Sequence, residues 1–236
     1  MDLINLGNYY FTNYLIKSPK GHILVDAGNG TSYDKFCKKL RRKGILLSDI
    51  KYLIITHTHD DHLSYLADFL KNNPHVKCIC SKIGAERANY EEMVVGDYTT
   101  ALSRFGGKMK NKFPCLQIPF PKTEIKNPVV AEENPDFLIE EGYPIKLVYL
   151  GGHSDDSIGF LVEDKYFFVG DVLFQAPPAK NLTPLVIEDL PQFFKAIDLL
   201  EKSGAELFYV GHGTPISMKK LKKKLGKIYK TTLRKL

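Results

Sequence analysis

An α/β domain is the fold class this sequence predicts, and three observations carry it. Short β-rich runs come first as neighbours and later alternate with segments of helical periodicity. The length of 236 residues fits one domain. The composition, 44% hydrophobic and 25% charged, is that of an ordinary globular chain rather than a disordered or coiled-coil one. Neither a plain βαβαβ array nor an all-β pattern accounts for the order of elements.

Residues 9–17 and 21–25 read as strands separated by Ser18-Pro19-Lys20, and Asp26-Ala27-Gly28-Asn29-Gly30 is a turn cluster. Residues 32–43 read as a helix, with Phe36, Cys37 and Leu40 on one face and Gly44 at its end. A β-rich run follows at 51–56. Leu63, Leu66, Ala67 and Leu70 then mark a helix face, and 76–80 a short strand. Residues 84–143 are irregular and read as an insertion that serves as a lid. Regularity returns with strands at 145–150, 158–163 and 166–169, the last two joined by the hairpin-like Asp164-Lys165. A helix at 190–202, a strand at 206–210 and a terminal helix at 217–236 complete a single domain spanning 1–236. The terminal helix is amphipathic, with Leu221, Leu225, Ile228 and Leu236 on one stripe and lysines elsewhere.

The net charge of +6 belongs to that terminus. Residues 219–236 hold nine basic side chains and no acids, so the rest of the chain carries −3. A global basic footprint for nucleic acid is therefore not expected; the helix is read as closing the core, with docking of RNA, lipid or an acidic partner as its functional alternative. No apolar run reaches membrane-spanning length, and the N-terminus has no secretory pattern. Cys37, Cys78, Cys80 and Cys115 have no zinc or redox spacing, and Cys78 and Cys80 alternate onto one strand face. A reducing, cytoplasmic location is expected.

Five of the seven histidines fall at marked places. His57-Thr58-His59-Asp60-Asp61-His62 directly follows an apolar run. Side chains two apart point the same way on an extended segment, so His57 and His59 can converge on one ion. Asp61 and His62, at the turn into the next helix, can face a second. His153, Asp171 and His212 each follow an apolar run and a glycine, which lets the backbone turn tightly. Strand ends gathered at one sheet edge would bring them together. Imidazole and carboxylate donors suit zinc, with iron or manganese also accommodated.

On these residues the chain resembles the metallo-β-lactamase fold superfamily. The matching set is His57-x-His59-x-Asp61-His62, His153, Asp171 and His212, with Asp26 in Leu24-Val25-Asp26-Ala27-Gly28 and the loop Gly211-His212-Gly213-Thr214-Pro215. The resemblance implies a four-layer αββα sandwich of two mixed β-sheets flanked by helices. It also implies two divalent ions, zinc first, at the edge where the sheets meet. By carry-over, His57, His59 and His153 hold one ion, Asp61, His62 and His212 the other, and Asp171 bridges them. Asp26 sits behind them and fixes a ligand histidine by hydrogen bonding. A water bridging two cations ionises near neutral pH and attacks the scissile group, with Asp61 as a candidate proton acceptor.

True β-lactamases carry a cysteine where this chain has Asp171, so the expectation is the acid-bridged branch of glyoxalase II-like thioesterases, lactonases and phosphodiesterases. Ser154-Asp155-Asp156-Ser157 departs from the loop common after the middle histidine, and places two extra carboxylates near the ions. The leading expectation is a dinuclear hydrolase of a small ester, thioester or lactone. A phosphodiesterase or ribonuclease is the alternative, followed by a mononuclear iron thiol oxygenase and a non-catalytic metal-bound sensing protein. Pocket walls are expected from 84–143 and 174–184, with Tyr90, Tyr98, Phe105 and Phe174 as candidates. Oligomeric state is not legible.

Overall fold

The computed structural model describes residues 1–28, 31–89, 98–99, 123–232 and 234–235, with only the backbone at 98–99 and 234–235. One sheet runs β1 (Asp2–Asn5), β2 (Tyr14–Lys17), β3 (His22–Val25), β4 (Ile50–Ile54), β5 (Lys77–Cys80), and then β7 (Val129–Val130). Its first three strands are antiparallel and the rest parallel. The second sheet runs β12 (Ile216–Ser217), β11 (Leu207–Tyr209), β10 (Tyr166–Phe168), β9 (Ile158–Val162), β8 (Ile145–Tyr149). Only its β10–β11 pair is parallel. A separate pairing joins the backbones of β6 (Tyr98–Thr99) and β13 (Arg234–Lys235).

Strand alternation sorts the core into three apolar layers and hence the chain into four structural ones. Tyr14, Ile16, Ile23, Val25, Tyr52 and Ile54 face Leu147, Ile158, Phe160 and Phe168 between the sheets. The intervening Leu15, Leu24, Leu53 and both Cys78 and Cys80 face the opposite way. They pack there against Phe36 and Leu40 of α1 (Tyr33–Arg42), Leu63 of α2 (Asp60–Leu63) and Phe69 of α3 (Leu66–Asn72). On the far side, Phe167 and Phe208 meet α6 (Leu190–Lys202) and α7 (Met218–Ile228). In α6, Phe193, Ala196, Ile197 and Leu200 are buried at helical spacing, and Asp189 caps its start by accepting from the Gln192 N–H at 2.9 Å. The β9–β10 hairpin turns through the three residues 163–165, with Glu163 and Asp164 both at positive φ.

Five expectations change. Residues 9–13 form a loop rather than the start of a strand, because Asn8 Oδ1 accepts the Tyr10 and Phe11 N–H groups at 2.8 and 3.1 Å. The edge strand β1 is additional. The helix face at 63–70 is split in two, since the Tyr65 N–H goes to the Ala27 carbonyl instead of continuing the helix. The described part of the 84–143 insertion contributes to the core, with Ala88, Ile125, Val129, Leu138 and Tyr143 buried. Val129–Val130 extends the first sheet, and α5 (Phe137–Glu140) buries Leu138 beside it. A two-residue strand is too short to leave a periodic signal. Residues 90–97 and 100–122, including Tyr90 and Phe105, lie outside the described residues, as does the Tyr98 side chain. Finally, the terminal helix ends at Ile228 rather than near 236, ahead of the β-branched pair Thr231-Thr232, and Leu236 is outside the described residues.

Candidate metal centre

All seven expected ligand residues come together at one edge of the sandwich. His57 and His59 leave the end of β4, Asp61 and His62 lie in α2, His153 follows β8, and Asp171 and His212 follow β10 and β11. The strand-end glycines explain how. Gly170 has φ +52, and a Cβ at Gly211 would lie 2.2 Å from Asp171 Oδ1 and 2.7 Å from His62 Cε1. Gly211→Ala is therefore expected to force Asp171 or His62 out of place. Metal content should fall while the helix content by circular dichroism stays near wild type; full metal content would refute the packing argument.

The hydrogen bonds fix which nitrogen each ring turns inward. Thr56 Oγ1 gives its proton to Asp26 Oδ2 at 3.0 Å, so it must accept from His57 Nδ1 at 3.1 Å. His153 Nδ1 donates to the Val186 carbonyl at 2.8 Å and His212 Nδ1 to that of Tyr10. The inward Nε2 atoms of all three are thereby left with lone pairs in the neutral rings. His57 Nε2 and His153 Nε2 lie 3.3 Å apart, and each is 3.1 Å from His59 Nδ1. The His57–His153 contact sets lone pair against lone pair, which calls for a cation between them. Nitrogens about 2.0–2.1 Å from a tetrahedral zinc stand roughly 3.3 Å from one another.

The second donor set adjoins the first. His212 Nε2 lies 3.0 Å from Asp61 Oδ2 and 3.1 Å from Asp171 Oδ2. His62 Nε2 lies 3.6 Å from Asp171 Oδ1 and 3.8 Å from Asp61 Oδ2. Asp171 also approaches His153 Nε2 at 4.0 Å, so it stands between the two sets. His62 Nε2 and Asp171 Oδ1 are buried without a hydrogen-bond partner among the described residues. Orphaned donors of this kind, in a cluster of imidazoles and carboxylates, fit divalent ions. His22 and His75 lie outside the cluster.

Behind the ligands, Asp26 accepts from the Thr56 N–H at 2.7 Å and from His62 Nδ1 at 2.8 Å. It sits at φ +61, a conformation Asp tolerates better than most residues. Asp155 and Asp156 part company. Asp155 is half exposed, whereas Asp156 is buried and accepts from the Thr58 N–H at 2.8 Å, Thr58 Oγ1 at 2.7 Å and Ser154 Oγ. Sequence reading missed its partners. Arg87 Nη1 lies 3.5 Å from Asp156 and 3.1 Å from Glu188, whose Oε2 accepts the Asp155 N–H at 2.7 Å. Phe174, a candidate wall residue, stacks on the His212 ring at 4.3 Å.

Without metal the cluster divides its protons. Burial, helped by the neighbouring histidines, holds His57 and His59 below the ordinary value, His59 at about 3, and burial also lowers His153. For His212, burial is outweighed by Asp171 and Asp61, which lift it to about 10; His62 is likewise raised by Asp61, Asp26 and Asp171 against burial. As pH falls below about 6.5, the unfolded chain binds protons that the first three histidines refuse, and stability drops. As pH rises above that value, the stabilisation from charged His62 and His212 is progressively lost toward their raised folded values. The chelated protein should thus have its highest melting temperature near pH 6.5, each histidine contributing up to about 1.4 kcal/mol per pH unit. A midpoint that is flat or monotonic from pH 5 to 8 would contradict this.

A profile of the metallo-beta-lactamase superfamily matches residues 12–212. The chain is 28% identical over 218 residues to a protein of Methanocaldococcus jannaschii named a probable metallo-hydrolase, covering 89% of this chain and 92% of that one. It is 22% identical over 209 residues to an atrochrysone carboxyl ACP thioesterase of Aspergillus chevalieri, covering 86% of this chain and 51% of that longer one. The crystal structure of a metallo-beta-lactamase family protein from Thermus thermophilus superposes with a TM-score of 0.64 at 18% identity, over 97% of this chain and 79% of the other. With the fold, the gathered donors and these matches in agreement, the chain belongs to the metallo-beta-lactamase superfamily as a metal-dependent hydrolase.

Proposed function

We propose that the protein is a dinuclear hydrolase of small esters, thioesters or lactones, with thioesters first. The observation that carries this reading is the pair of adjoining donor sets with Asp171 between them. His57, His59 and His153 would hold one ion and Asp61, His62 and His212 the other, zinc being the best match to nitrogen-rich donors. Bound there, divalent ions supply a water that ionises near neutral pH and a Lewis acid for the substrate carbonyl. The chain's own part is orientation and proton handling. Asp26, Val186 and Tyr10 hold three rings with Nε2 inward. Asp61, whose side chain is 18% exposed, is the most open of the ligand carboxylates. Despite burial, His62 and His212 hold its carboxyl below the usual range and keep it ionised, and its openness is what makes it the candidate proton acceptor. The distant relative named a thioesterase supports the thioester choice. The free thiols of Cys37, Cys78 and Cys80 support a cytoplasmic setting, and among the described residues no helix is long and apolar enough to cross a membrane.

The test is metal content of protein purified without chelator, beside His59→Ala, followed by ester and thioester assays. About two zinc or manganese ions per chain, sharply reduced in the variant, with turnover of either substrate class, support the reading. About one iron ion would replace it with the oxygenase. No stoichiometric metal after reconstitution would overturn it.

A further inference from the structure

We propose that the rim of the metal centre carries a binding strip for an acyl thioester of a phosphate-bearing thiol, its phosphates on the lysine face of α7 and its acyl group against Tyr9 and Tyr10. The inference rests on the hydrolase reading above and names its substrate class.

The strip is built around the loop that presents His212. On one side, the Tyr9 carbonyl accepts the Gly213 N–H at 2.9 Å and the Tyr10 carbonyl accepts from His212 Nδ1. Both side chains stand free of the core, 44% and 54% exposed, edge to face at 5.3 Å. On the other side, the His212 carbonyl accepts the Gln175 N–H at 2.9 Å, and the Gln175 side chain donates to Thr214. Lys220 of α7 reaches this point, its Nζ 2.6 Å from Gln175 Oε1. Lys224 Nζ lies one turn on, 3.4 Å from Asn181 Oδ1 in the segment after Asp171 that also carries Gln175. Tyrosines and lysines therefore flank one metal-ligand loop.

The charge on α7 is unspent. Its segment MKKLKKKLGKI holds six lysines and no acid, and none of the six forms an ion pair among the described residues. The facing acids, Asp198 and Glu201 of α6, lie toward Tyr229 at the far end of the helix. Lys220, Lys224 and Lys227 share a face and span roughly 10 Å along the axis, the reach of a chain bearing more than one phosphate. Leu221, Leu225 and Ile228 are used in the core, so α7 has no apolar face to lay into a bilayer and offers charge alone. In hydrolysis the acyl C–S bond breaks, water gives its oxygen to the acyl carbon, and its proton goes to the departing thiolate. Only the acyl carbon must enter the ligand cluster. The two ends of the substrate rest on the rim, one apolar and one anionic, as the strip is.

The test uses the metal-loaded full chain. Values of kcat/KM are compared for butyryl-coenzyme A and the butyryl thioester of N-acetylcysteamine, which lacks the phosphates. The coenzyme A ester should be favoured about tenfold or more, through KM, at low salt. That ratio should shrink toward one in about 0.5 M salt and in Lys220→Met and Lys220→Met/Lys224→Met. Adenosine 3′,5′-bisphosphate, which carries no thiol to reach the metals, should bind saturably by calorimetry and about fivefold more weakly to the variants. Equal kcat/KM for the two thioesters overturns the strip while leaving the hydrolase intact. Bisphosphate binding unchanged by the lysine substitutions overturns it equally. If neither thioester is turned over while a short single-stranded RNA is cleaved, the thioester assignment falls, and with it the hydrolase reading as stated.

Discussion

Asp171→Ala is expected to lower kcat/KM by at least about 10³-fold, the equivalent of several kcal/mol of transition-state stabilisation. Among the described residues, Asp171 is the one carboxylate within 4.0 Å of His62, His153 and His212. On the dinuclear reading proposed above, its loss would remove the carboxylate lying between both donor sets and negative charge that would offset the ions. Two measurements separate this from unfolding. Metal content should drop toward one ion per chain, since the His57, His59 and His153 nitrogens remain in place. Asp171→Asn, which keeps the shape and removes the charge, should lose activity nearly as fully with less loss of fold. Wild-type turnover in either variant, with metal present, would remove Asp171 from the reaction.

Asp156→Ala should be the most damaging change outside the ligands themselves. Thr58 separates His57 from His59 and Ser154 follows His153, so one buried carboxylate ties together the two loops that supply the first donor set. Truncating it strands the Thr58 N–H and hydroxyl, while Arg87 keeps Glu188 and the more distant Asp155. Leaving a buried donor without its acceptor costs about 1–3 kcal/mol. Loosening a ligand from behind costs about 10–100-fold in metal affinity. Asp155→Ala is the internal control, because that half-exposed side chain meets Arg87 only at 3.7 Å and a surface pair is worth about 0–1 kcal/mol. Denaturation midpoints and zinc competition with a chelator read both effects. If the two alanine variants behave alike, Asp156 does not brace the site.

The contrast between these adjacent aspartates marks where sequence reading stops. Side by side in Ser154-Asp155-Asp156-Ser157, they are chemically identical and within three positions of His153. What separates them is contact with Thr58, nearly a hundred positions earlier, and with Arg87 at the end of α4 (Lys82–Arg87). Similarly, Tyr9 and Tyr10 read as strand because alternation and aromatic content favour it, yet Asn8 turns the chain and aims their carbonyls at the His212 loop. Val129–Val130 joins the first sheet only because β5 offers it an open edge.

The gathering of the candidate donors was legible because its constraints are local. A two-residue period sends His57 and His59 the same way, and each later candidate follows a strand and a glycine. The resemblance carried by those residues extended this to two sheets and four layers, which the three apolar layers bear out. Only the tertiary structure decided which nitrogen each ring presents, which extra carboxylate is buried, where α7 stops, and that its lysines begin beside His212. Those outcomes depend on hydrogen-bond partners and burial supplied by distant segments, and no window of neighbouring residues contains them.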